Sequence, residues 1–263
     1  MNLVLHVGYP KCASTTLQKH LFSKHSEISY FGIYPESNVG YDNNLGKRPS
    51  LALDDNKIVQ FHHLILSKDF EENKAKIKKD LYKSIKQAKA NNIAVVSNER
   101  FSSSVFTKAS ISEKAVRLSY LFPHAKILII VRNPFQLLVS QYRDQPFDPR
   151  DITNSGYVGF DEWIKILFDE RIEILEELRF QNTYNLYGDL FGKDNVLMSR
   201  LETLNEELDN LGAFLGISTR EIVDCLNGKK ENIGTSEAFT QYRRFIRALK
   251  KILPQNDFTI FMK

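Results

Sequence analysis

A lysine and three hydroxyl side chains stand between a short apolar run and the helix predicted to follow it. The apolar run is Leu3–Val7, which ends at Gly8, and the lysine is Lys11. The three hydroxyl residues at the predicted helix start are Ser14, Thr15 and Thr16. A helix N-terminus presents main-chain N–H groups that have no partner within the helix, which suits an anionic group. With the charge of Lys11 added, the segment predicts a cradle for a phosphate or a sulfate.

Two other anion-binding loops and an ordinary helix start are the alternatives to a sulfate or phosphate cradle in this segment. A Walker A loop requires Gly-x-x-x-x-Gly-Lys-Ser/Thr, but Ala13 and Ser14 occupy the second glycine and the lysine positions. A cysteine phosphatase loop that starts at Cys12 would need an arginine where Gln18 stands. The remaining alternative is an ordinary helix whose Ser and Thr side chains only cap its own first turn.

An arginine follows the most strand-like run of the chain, Lys126–Val131. P-loop enzymes that hydrolyse phosphates commonly carry an acidic metal-binding residue at such a place, whereas this chain has Arg132. A guanidinium group binds phosphate through paired donors. Arg132 is therefore a candidate for a second anion-binding position.

A glutamate follows a third apolar run, Ile93–Ser97. In a parallel sheet, ligands bind beyond the carboxyl ends of the strands, so Glu99 is expected at the same edge as Lys11 and Arg132. A carboxylate at that edge can accept a proton as a general base. The alternative is a salt bridge between Glu99 and a neighbouring arginine.

The elements that must position these residues alternate between strands and helices. The predicted strands are Leu3–Val7, Ile28–Tyr34, Ile93–Ser97, Lys126–Val131 and Asn195–Arg200. The predicted helices are Ser14–His25, Asp69–Asn91, Ser112–Phe122, Pro134–Asp144, Phe160–Leu178, Asn182–Phe191 and Glu206–Leu215, followed by a polar stretch and a terminal helix after Ser236. Continuous apolar strands that alternate with helices indicate a parallel sheet covered on both faces. The sequence predicts one α/β domain over residues 1–263, with a three-layer architecture in which helices flank a central parallel sheet.

Composition agrees with a globular protein that has a large core. Of 263 residues, 42% are hydrophobic and 26% are charged, which is ordinary for such proteins. The two cysteines form no disulfide framework, and the first residues lack a signal-peptide pattern. No apolar run approaches the ~18 residues of a membrane span. We therefore expect a cytoplasmic protein without a transmembrane segment.

The charge pattern and the spacing of possible metal ligands indicate which binding partners to expect. The net charge of +4 leans only weakly toward anionic ligands. The lysines of the helix predicted over 69–91 favour a solvated face over a nucleic-acid face. The basic terminal helix favours a packed helix, with peripheral membrane contact as the alternative. No Cys/His cluster has zinc spacing, so no metal is expected. The sequence does not indicate an oligomeric state.

The segment Tyr9–Thr16 (Tyr-Pro-Lys-Cys-Ala-Ser-Thr-Thr) resembles the 5′-phosphosulfate loop of the sulfotransferase family. The family usually has Gly where this chain has Ala13 and Thr where it has Ser14. Ala13 should be tolerated if its main chain is helical rather than left-handed, and Ser14 keeps the hydroxyl. The resemblance implies a P-loop-like fold and binding of the 5′ end of PAPS, 3′-phosphoadenosine-5′-phosphosulfate. The implied contacts are Lys11, Cys12, Ala13, Ser14, Thr15 and Thr16.

A second segment resembles the 3′-phosphate motif of the same family, in which a serine follows an arginine by eight residues. The resemblance implies that Arg132 and Ser140 bind the 3′-phosphate of PAPS. The polar loop Gly228–Gly234 falls where the family covers the 3′ side of the cofactor. Lys229 and Lys230 are candidates for that contact, with solvated lysines as the alternative.

Glu99 is similar to the general base of carbohydrate-type sulfotransferases. Cytosolic aryl sulfotransferases instead use a histidine, so His62, His63 and His124 are rival bases. His124 is also placed to lie in the turn before the strand that starts at Lys126.

The resemblance implies a PAPS-dependent sulfotransferase that works by in-line displacement, with Lys11 and Glu99 as catalytic residues. The implied acceptor is a hydroxyl or amine of a small molecule or saccharide, such as a glycolipid. Acceptor-facing loops are expected at Pro35–His63 and Gln145–Trp163, where Trp163 would stack on a sugar or pack in the core. The alternatives are a P-loop nucleotide kinase or other phosphotransferase, and a catalytically inactive PAP-binding module.

Overall fold

The computed structural model describes six segments of the chain. They are residues 2–31, 65–86, 92–103, 109–144, 158–170 and 177–229. The chain divides into two compact units, Met1–Leu137 with Glu173–Glu231 and Leu138–Ile172 with Asn232–Lys263. The expectation of a single domain stays a prediction.

The first unit contains a five-stranded sheet in the order β2-β3-β1-β4-β5. The strands are β1 (Leu3–His6), β2 (Ile28–Tyr30), β3 (Ile93–Ser97), β4 (Lys126–Val131) and β5 (Val196–Arg200). Every pairing between neighbouring strands is parallel. In the centre of the sheet, Leu5 pairs with Val96 on one side and Ile127 on the other. The predicted α/β class with a parallel sheet is confirmed.

Helices follow the strands along the chain. They are α1 (Ser14–Thr16), α2 (Phe70–Lys86), α3 (Ile111–Leu121), α4 (Pro134–Asp144), α5 (Phe160–Glu170), α6 (Phe180–Phe191), α7 (Leu208–Leu215) and α8 (Thr219–Leu226). Helix α1 continues directly as a π-helix over Leu17–Phe22. Short 3₁₀ turns occur at Glu99–Ser102, Lys193–Asn195 and Leu204–Glu206.

The core of the first unit lies on both faces of its central strands. All five residues of β3 are buried, as are Ile127 to Val131 of β4. A strand buried at consecutive positions must be covered on both faces, because its side chains alternate between them. Each fully buried Leu or Ile contributes about 1.5–3 kcal/mol, so these apolar runs fix the sheet.

Three of the predicted elements have the bounds that the structure shows. Strands Ile93–Ser97 and Lys126–Val131 and helix Pro134–Asp144 are confirmed as predicted. The first helix was predicted to reach His25, but it ends at Phe22, where the main-chain N–H of Ser23 bonds back to Gln18. Residues 32–34, 87–91 and the stretch from 230 onward lie outside the described part, and with them the predicted terminal helix.

Helix α8 was not predicted from the sequence. Its N-cap is Ser218, whose side chain accepts a hydrogen bond from the main-chain N–H of Glu221. The Glu221 carboxylate in turn accepts hydrogen bonds from the main chain of Ser26 at 2.6 Å and from its hydroxyl at 2.8 Å. These contacts tie α8 to the turn that precedes β2.

An aromatic cluster forms part of the second unit. The ring of Tyr142 lies 5.1 Å from that of Phe160 and 5.6 Å from that of Trp163. The Tyr142 hydroxyl donates to the carbonyl oxygen of Val158 at 2.9 Å. Trp163 is only 5% exposed, so it packs as core rather than facing solvent. Among the helices of the described segments, none is both long and apolar enough to cross a bilayer.

Candidate active site

The loop after β1 begins as an extension of the sheet. Main-chain N–H groups of Val7 and Tyr9 donate to the carbonyls of Leu128 and Ile130 in β4, at 3.0 and 3.5 Å. The Tyr9 side chain is buried, and its hydroxyl lies 2.6 Å from that of Thr183 on α6. These bonds fix the start of the loop against the sheet.

The main chain of this loop is left-handed at two residues that are not glycine. The φ angles are 65° at Lys11 and 61° at Ala13, and the intervening Cys12 is not among the residues with positive φ. Ala13 is the N-cap of α1. Left-handed residues of this kind occur in the main-chain nests that bind anions. The N–H of Cys12 donates to the carbonyl of Tyr9 at 3.2 Å, so the N–H groups of Ala13 and Ser14 are the candidates for binding an anion. Each left-handed non-glycine residue costs on the order of 1–2 kcal/mol.

The geometry at Ala13 corrects one expectation from the sequence. The replacement of the family's glycine by Ala13 was expected to be tolerated on the condition that the position is helical. With φ 61° and ψ 14° the position is left-handed, so the condition fails. The chain keeps a conformation that favours glycine, and the surrounding hydrogen bonds hold the alanine in it.

The side chains of the loop differ in burial. Cys12 is fully buried, and burial raises the pKa of its thiol far above the ordinary value. A thiolate nucleophile at Cys12 is therefore disfavoured. Ser14 is also buried, and its hydroxyl donates to the carbonyl of Tyr9 at 3.4 Å. Lys11, Thr15 and Thr16 are partly exposed.

At the end of β4, Arg132 and Asn133 open helix α4. The Asn133 side chain accepts hydrogen bonds from the main-chain N–H groups of Phe135 and Gln136 at 3.1 and 3.2 Å, which makes it the cap of that helix. The partly exposed Arg132 donates from Nε to the side-chain oxygen of Gln136 at 3.4 Å. The side chain of Arg132 therefore extends from the residue just before the N-terminal cap of α4.

A glutamate that the sequence analysis missed lies beside this position. Glu202 follows β5, and its carboxylate accepts a hydrogen bond from the main-chain N–H of Asn133 at 2.9 Å. The only signal available in the sequence was its place after the last predicted strand. Glu202 holds the junction between β4 and α4 on which Arg132 is carried.

The turn after β3 carries Glu99, and it is fixed to the end of β1. The main-chain N–H of Asn98 donates to the carbonyl of His6 at 3.1 Å, and the Ser102 hydroxyl donates to the carbonyl of Val7. The Asn98 side chain caps the turn by accepting from the main-chain N–H of Arg100 at 3.0 Å. Glu99 itself is partly exposed.

A buried polar group joins the same two strands below the loop. The Ser97 hydroxyl lies 2.7 Å from Nδ1 of His6 and accepts from the Gln18 amide at 2.9 Å. Burial lowers the pKa of His6 to about 3, so its ring is neutral at neutral pH. Its Nε2 has no hydrogen-bond partner among the described residues and faces Gly8, where an added Cβ would lie 2.6 Å away. Gly8 is therefore required by this close approach.

Charged groups from three strand ends converge on the loop. Besides burial, three charges act on the pKa of the Cys12 thiol: Arg132 lowers it, and Glu99 and Glu202 raise it. Such action requires that the groups lie near one another. The structure thus brings Arg132 and Glu99 to the loop of Lys11, at the carboxyl edge of the sheet where ligands bind in such folds.

The remaining candidate residues are one serine, two lysines and three histidines, and they differ in where they lie. Ser140 lies partly buried on α4 and belongs to the second unit. Lys229 is exposed and is the last described residue. Lys230 and the rival bases His62 and His63 lie outside the described residues. His124 is exposed in the turn before β4, at the end of the strand opposite to Arg132, so it does not join this edge.

Comparison with known proteins assigns the class. The model of the Sulfotransferase family matches residues 3–252, nearly the whole chain, and the chain therefore belongs to the sulfotransferase family. A solved structure, the sulfotransferase from Alicyclobacillus acidocaldarius, is similar with 18% identity and a TM-score of 0.48, over 94% of this chain and 92% of that one. No curated protein matches the chain.

Sulfotransferases of this family use PAPS as the sulfuryl donor. The residues at this edge fit a molecule with anionic groups at both ends. The loop that is left-handed at Lys11 and Ala13 offers the N–H groups of Ala13 and Ser14 for one anion. Arg132, just before α4, offers a guanidinium group for another.

Proposed function

We propose that the chain transfers a sulfuryl group from PAPS to a hydroxyl or amine of an acceptor by in-line displacement. One observation carries the proposal: the turn of Glu99 and the end of β4 that precedes Arg132 are both hydrogen-bonded to the chain at His6–Tyr9, from which the loop of Lys11 continues. A cationic group, a carboxylate and an anion nest thereby share one edge of the sheet. Those are the parts that binding and acid–base chemistry at a sulfuryl group require.

The loop binds the 5′ end of the donor. Lys11 neutralises charge on the transferring group and on the bridging oxygen, which develops charge as it leaves. Ala13 and Ser14 contribute main-chain N–H groups, because the Ser14 hydroxyl already donates to the Tyr9 carbonyl. Cys12 contributes only to the shape of the loop, because its thiol is buried and its main-chain N–H donates to the Tyr9 carbonyl at 3.2 Å. The partly exposed hydroxyls of Thr15 and Thr16 add donors.

Arg132 and Ser140 bind the 3′-phosphate, and Lys229 and Lys230 are further candidates for contacts with the same side of the nucleotide. Arg132 lies just before the capped N-terminus of α4, where its guanidinium group offers paired donors to an anion. Binding both ends fixes the position of the donor before the chemical step. Selectivity for a nucleotide with a 3′-phosphate follows from this pair of contacts.

Glu99 acts as the general base. Its carboxylate takes the proton of the acceptor hydroxyl or amine while that group attacks sulfur. PAPS supplies a good leaving group, since the nucleotide departs as the bisphosphate PAP. The turn Glu99–Ser102 is hydrogen-bonded to the end of β1, which holds the base at a constant distance from the loop.

The acceptor is a saccharide or a glycolipid of the cytoplasm. A carboxylate base after β3 supports this assignment, because carbohydrate-type sulfotransferases have the similar arrangement. Peripheral contact with a membrane would follow if the acceptor is a glycolipid.

A panel of monosaccharides, oligosaccharides, glycolipids and phenols, incubated with labelled PAPS, tests the proposal. Wild-type protein should label a saccharide or glycolipid and release PAP. Glu99→Gln should lower kcat by about 10²–10⁴-fold, whereas Glu72→Gln, an exposed glutamate on α2, should not. Labelling of phenols alone would refute the acceptor class, and an unchanged kcat in Glu99→Gln would refute the base.

A further inference from the structure

A lysine is completely buried behind the turn that carries Glu99. Lys114 lies on α3 and has no exposed surface. Its Nζ donates to the carbonyl oxygen of Arg100 at 2.8 Å and to the carbonyl oxygen of Ser103. One carbonyl belongs to the 3₁₀ turn Glu99–Ser102 and the other to the residue directly after it. The lysine therefore connects a residue within the turn to the residue that follows it.

A buried carboxylate contacts the same residue, Ser103, as this lysine. Glu177 is 4% exposed and accepts a hydrogen bond from the Ser103 hydroxyl at 3.4 Å. Burial lowers the pKa of Lys114 to about 8, while the charge of Glu177 raises it; on α3 itself, Arg117 lowers it and Glu113 raises it. A lysine keeps N–H donors in either protonation state, so both carbonyls stay bonded across neutral pH.

Filling the core does not require an amine at this position. Burying a lysine is unfavourable unless it is paired and hydrogen-bonded, and an apolar side chain of similar volume would fill the same space. An apolar side chain, however, has no hydrogen-bond donors for the carbonyls of Arg100 and Ser103. The same turn is also capped by Asn98 and tied to Val7 through Ser102. Its main chain is thus fixed from three directions.

We infer that Lys114 is a positioning residue for the sulfuryl transfer: through the carbonyls of Arg100 and Ser103 it holds the Glu99 carboxylate toward the acceptor, with Glu177 as its charge partner. The inference rests on the proposed role of Glu99 as the base. The bonds of Lys114 to the carbonyls of Arg100 and Ser103 fix the turn of the base, so its effect is expected on the chemical step rather than on donor binding.

The expected signature is a change in kcat without a change in nucleotide affinity. Lys114→Met removes both donors at nearly constant volume and should lower kcat about 10- to 100-fold, since a displacement near 1 Å has effects of that size. The Kd for PAP should stay within about twofold. If Lys114 had a purely structural role, Lys114→Met would lower the melting temperature and leave kcat per folded molecule unchanged.

Two further variants keep the test decisive if Lys114→Met does not fold. Lys114→Met with Glu177→Gln removes both buried charges together, so no uncompensated carboxylate remains. Lys114→Gln keeps two neutral N–H donors and should recover most of the lost kcat. Equal kcat losses in Lys114→Gln and Lys114→Met would contradict the role of these donors.

A double-mutant cycle with Glu99→Gln separates the inference from the function on which it rests. The assay measures PAP released from labelled PAPS, with the best acceptor of the panel or with water. If Lys114 acts through Glu99, Lys114→Met should lower kcat in the wild-type background and have no further effect beside Glu99→Gln. Full additivity of the two losses would overturn the inference. An unchanged kcat in Glu99→Gln alone would instead overturn the proposed function.

Discussion

The loop Gly8–Thr16 and the turn Glu99–Ser102 follow neighbouring strands of one sheet, yet they use their main chains in opposite ways. The loop is left-handed at Lys11 and Ala13, a feature of main-chain nests that bind anions. The turn has its polar main-chain groups bonded to Asn98 and Lys114. The loop is suited to bind an anion with its main chain, and the turn to present one side chain.

This difference explains how two functions can share one edge of the sheet. Binding of an anion to the N–H groups offsets the energetic cost of the left-handed residues, so the loop is expected to be most stable with its ligand. The turn gains nothing from an anion, because its own protein partners already satisfy it. Its hydrogen bonds to the end of β1 instead hold the residue that carries the carboxylate at the edge of the sheet from which the loop continues.

The first prediction removes the cation of the loop and has the largest expected effect. Lys11→Ala should lower kcat at least about 10²-fold, because the lysine stabilises charge that develops in the transition state. The measurement is PAP release from labelled PAPS, with circular dichroism to show that the fold survives. Lys24→Ala changes an exposed lysine just beyond the same helix and should be neutral. Near-normal turnover in Lys11→Ala would refute the role of the loop cation.

The second prediction concerns His6, which joins the loop and the turn. Its folded-state pKa is lowered to about 3, below the unfolded value near 6.5. The unfolded chain therefore binds the extra proton as pH falls below that value, so the stabilisation present at neutral pH is lost on acidification. Between pH 7 and pH 4.5 the loss should reach ~3 kcal/mol for this group.

Urea unfolding at the two pH values measures that loss. His6→Asn keeps an amide group near the Ser97 hydroxyl but cannot bind the proton, so its stability should fall by ~3 kcal/mol less than that of the wild type. Equal losses in both proteins would show that His6 is not the group responsible.

The third prediction tests whether the second anion position is separate from the loop. Arg132→Ala should weaken PAP about 10- to 100-fold, the size of lost hydrogen bonds to a charged group. Adenosine 5′-phosphosulfate, which lacks the 3′-phosphate, should bind with unchanged affinity in calorimetry. Arg220→Ala on α8, an exposed arginine, serves as the control. If both nucleotides weaken equally, the 3′ assignment of Arg132 is wrong.

The smallest effect is expected from the strained alanine of the loop. Ala13→Gly removes an unfavourable left-handed alanine and should raise the free energy of unfolding by up to about 1 kcal/mol, after the entropy of glycine is counted. Ala75→Gly in helix α2, an exposed position where glycine only adds flexibility, should lower it by about 0.5–1 kcal/mol. Thermal melts of the two variants should shift in opposite directions, and a destabilised Ala13→Gly would contradict the strain.

Much of the sheet could be predicted from the sequence. Ile93–Ser97 and Lys126–Val131 are continuous apolar runs, and such runs form buried parallel strands with little ambiguity. Because parallel strands end at one edge, the nearness of Arg132 and Glu99 to the loop also followed from the order of the elements. Family membership was foreseen from two short motifs and is confirmed by the match over residues 3–252.

Other features depend on contacts between distant segments. Lys114 belongs to an amphipathic helix, where a lysine predicts an exposed side chain, and its burial follows only from the two carbonyls it meets. The left-handed geometry of Ala13 runs against the preference of alanine, so propensity could not reveal it. Glu202 gained its place beside Arg132 from a hydrogen bond to Asn133 that no local pattern encodes.

Calorimetric titration with PAP in magnesium-free buffer tests the central claim most directly. If the loop of Lys11 and the position of Arg132 hold the two ends of one nucleotide, PAP should bind one molecule per chain with a Kd in the micromolar range or below. ATP and GTP should bind much more weakly under the same conditions. Tighter binding of ATP or GTP that depends on magnesium, or no binding of PAP, would contradict the account.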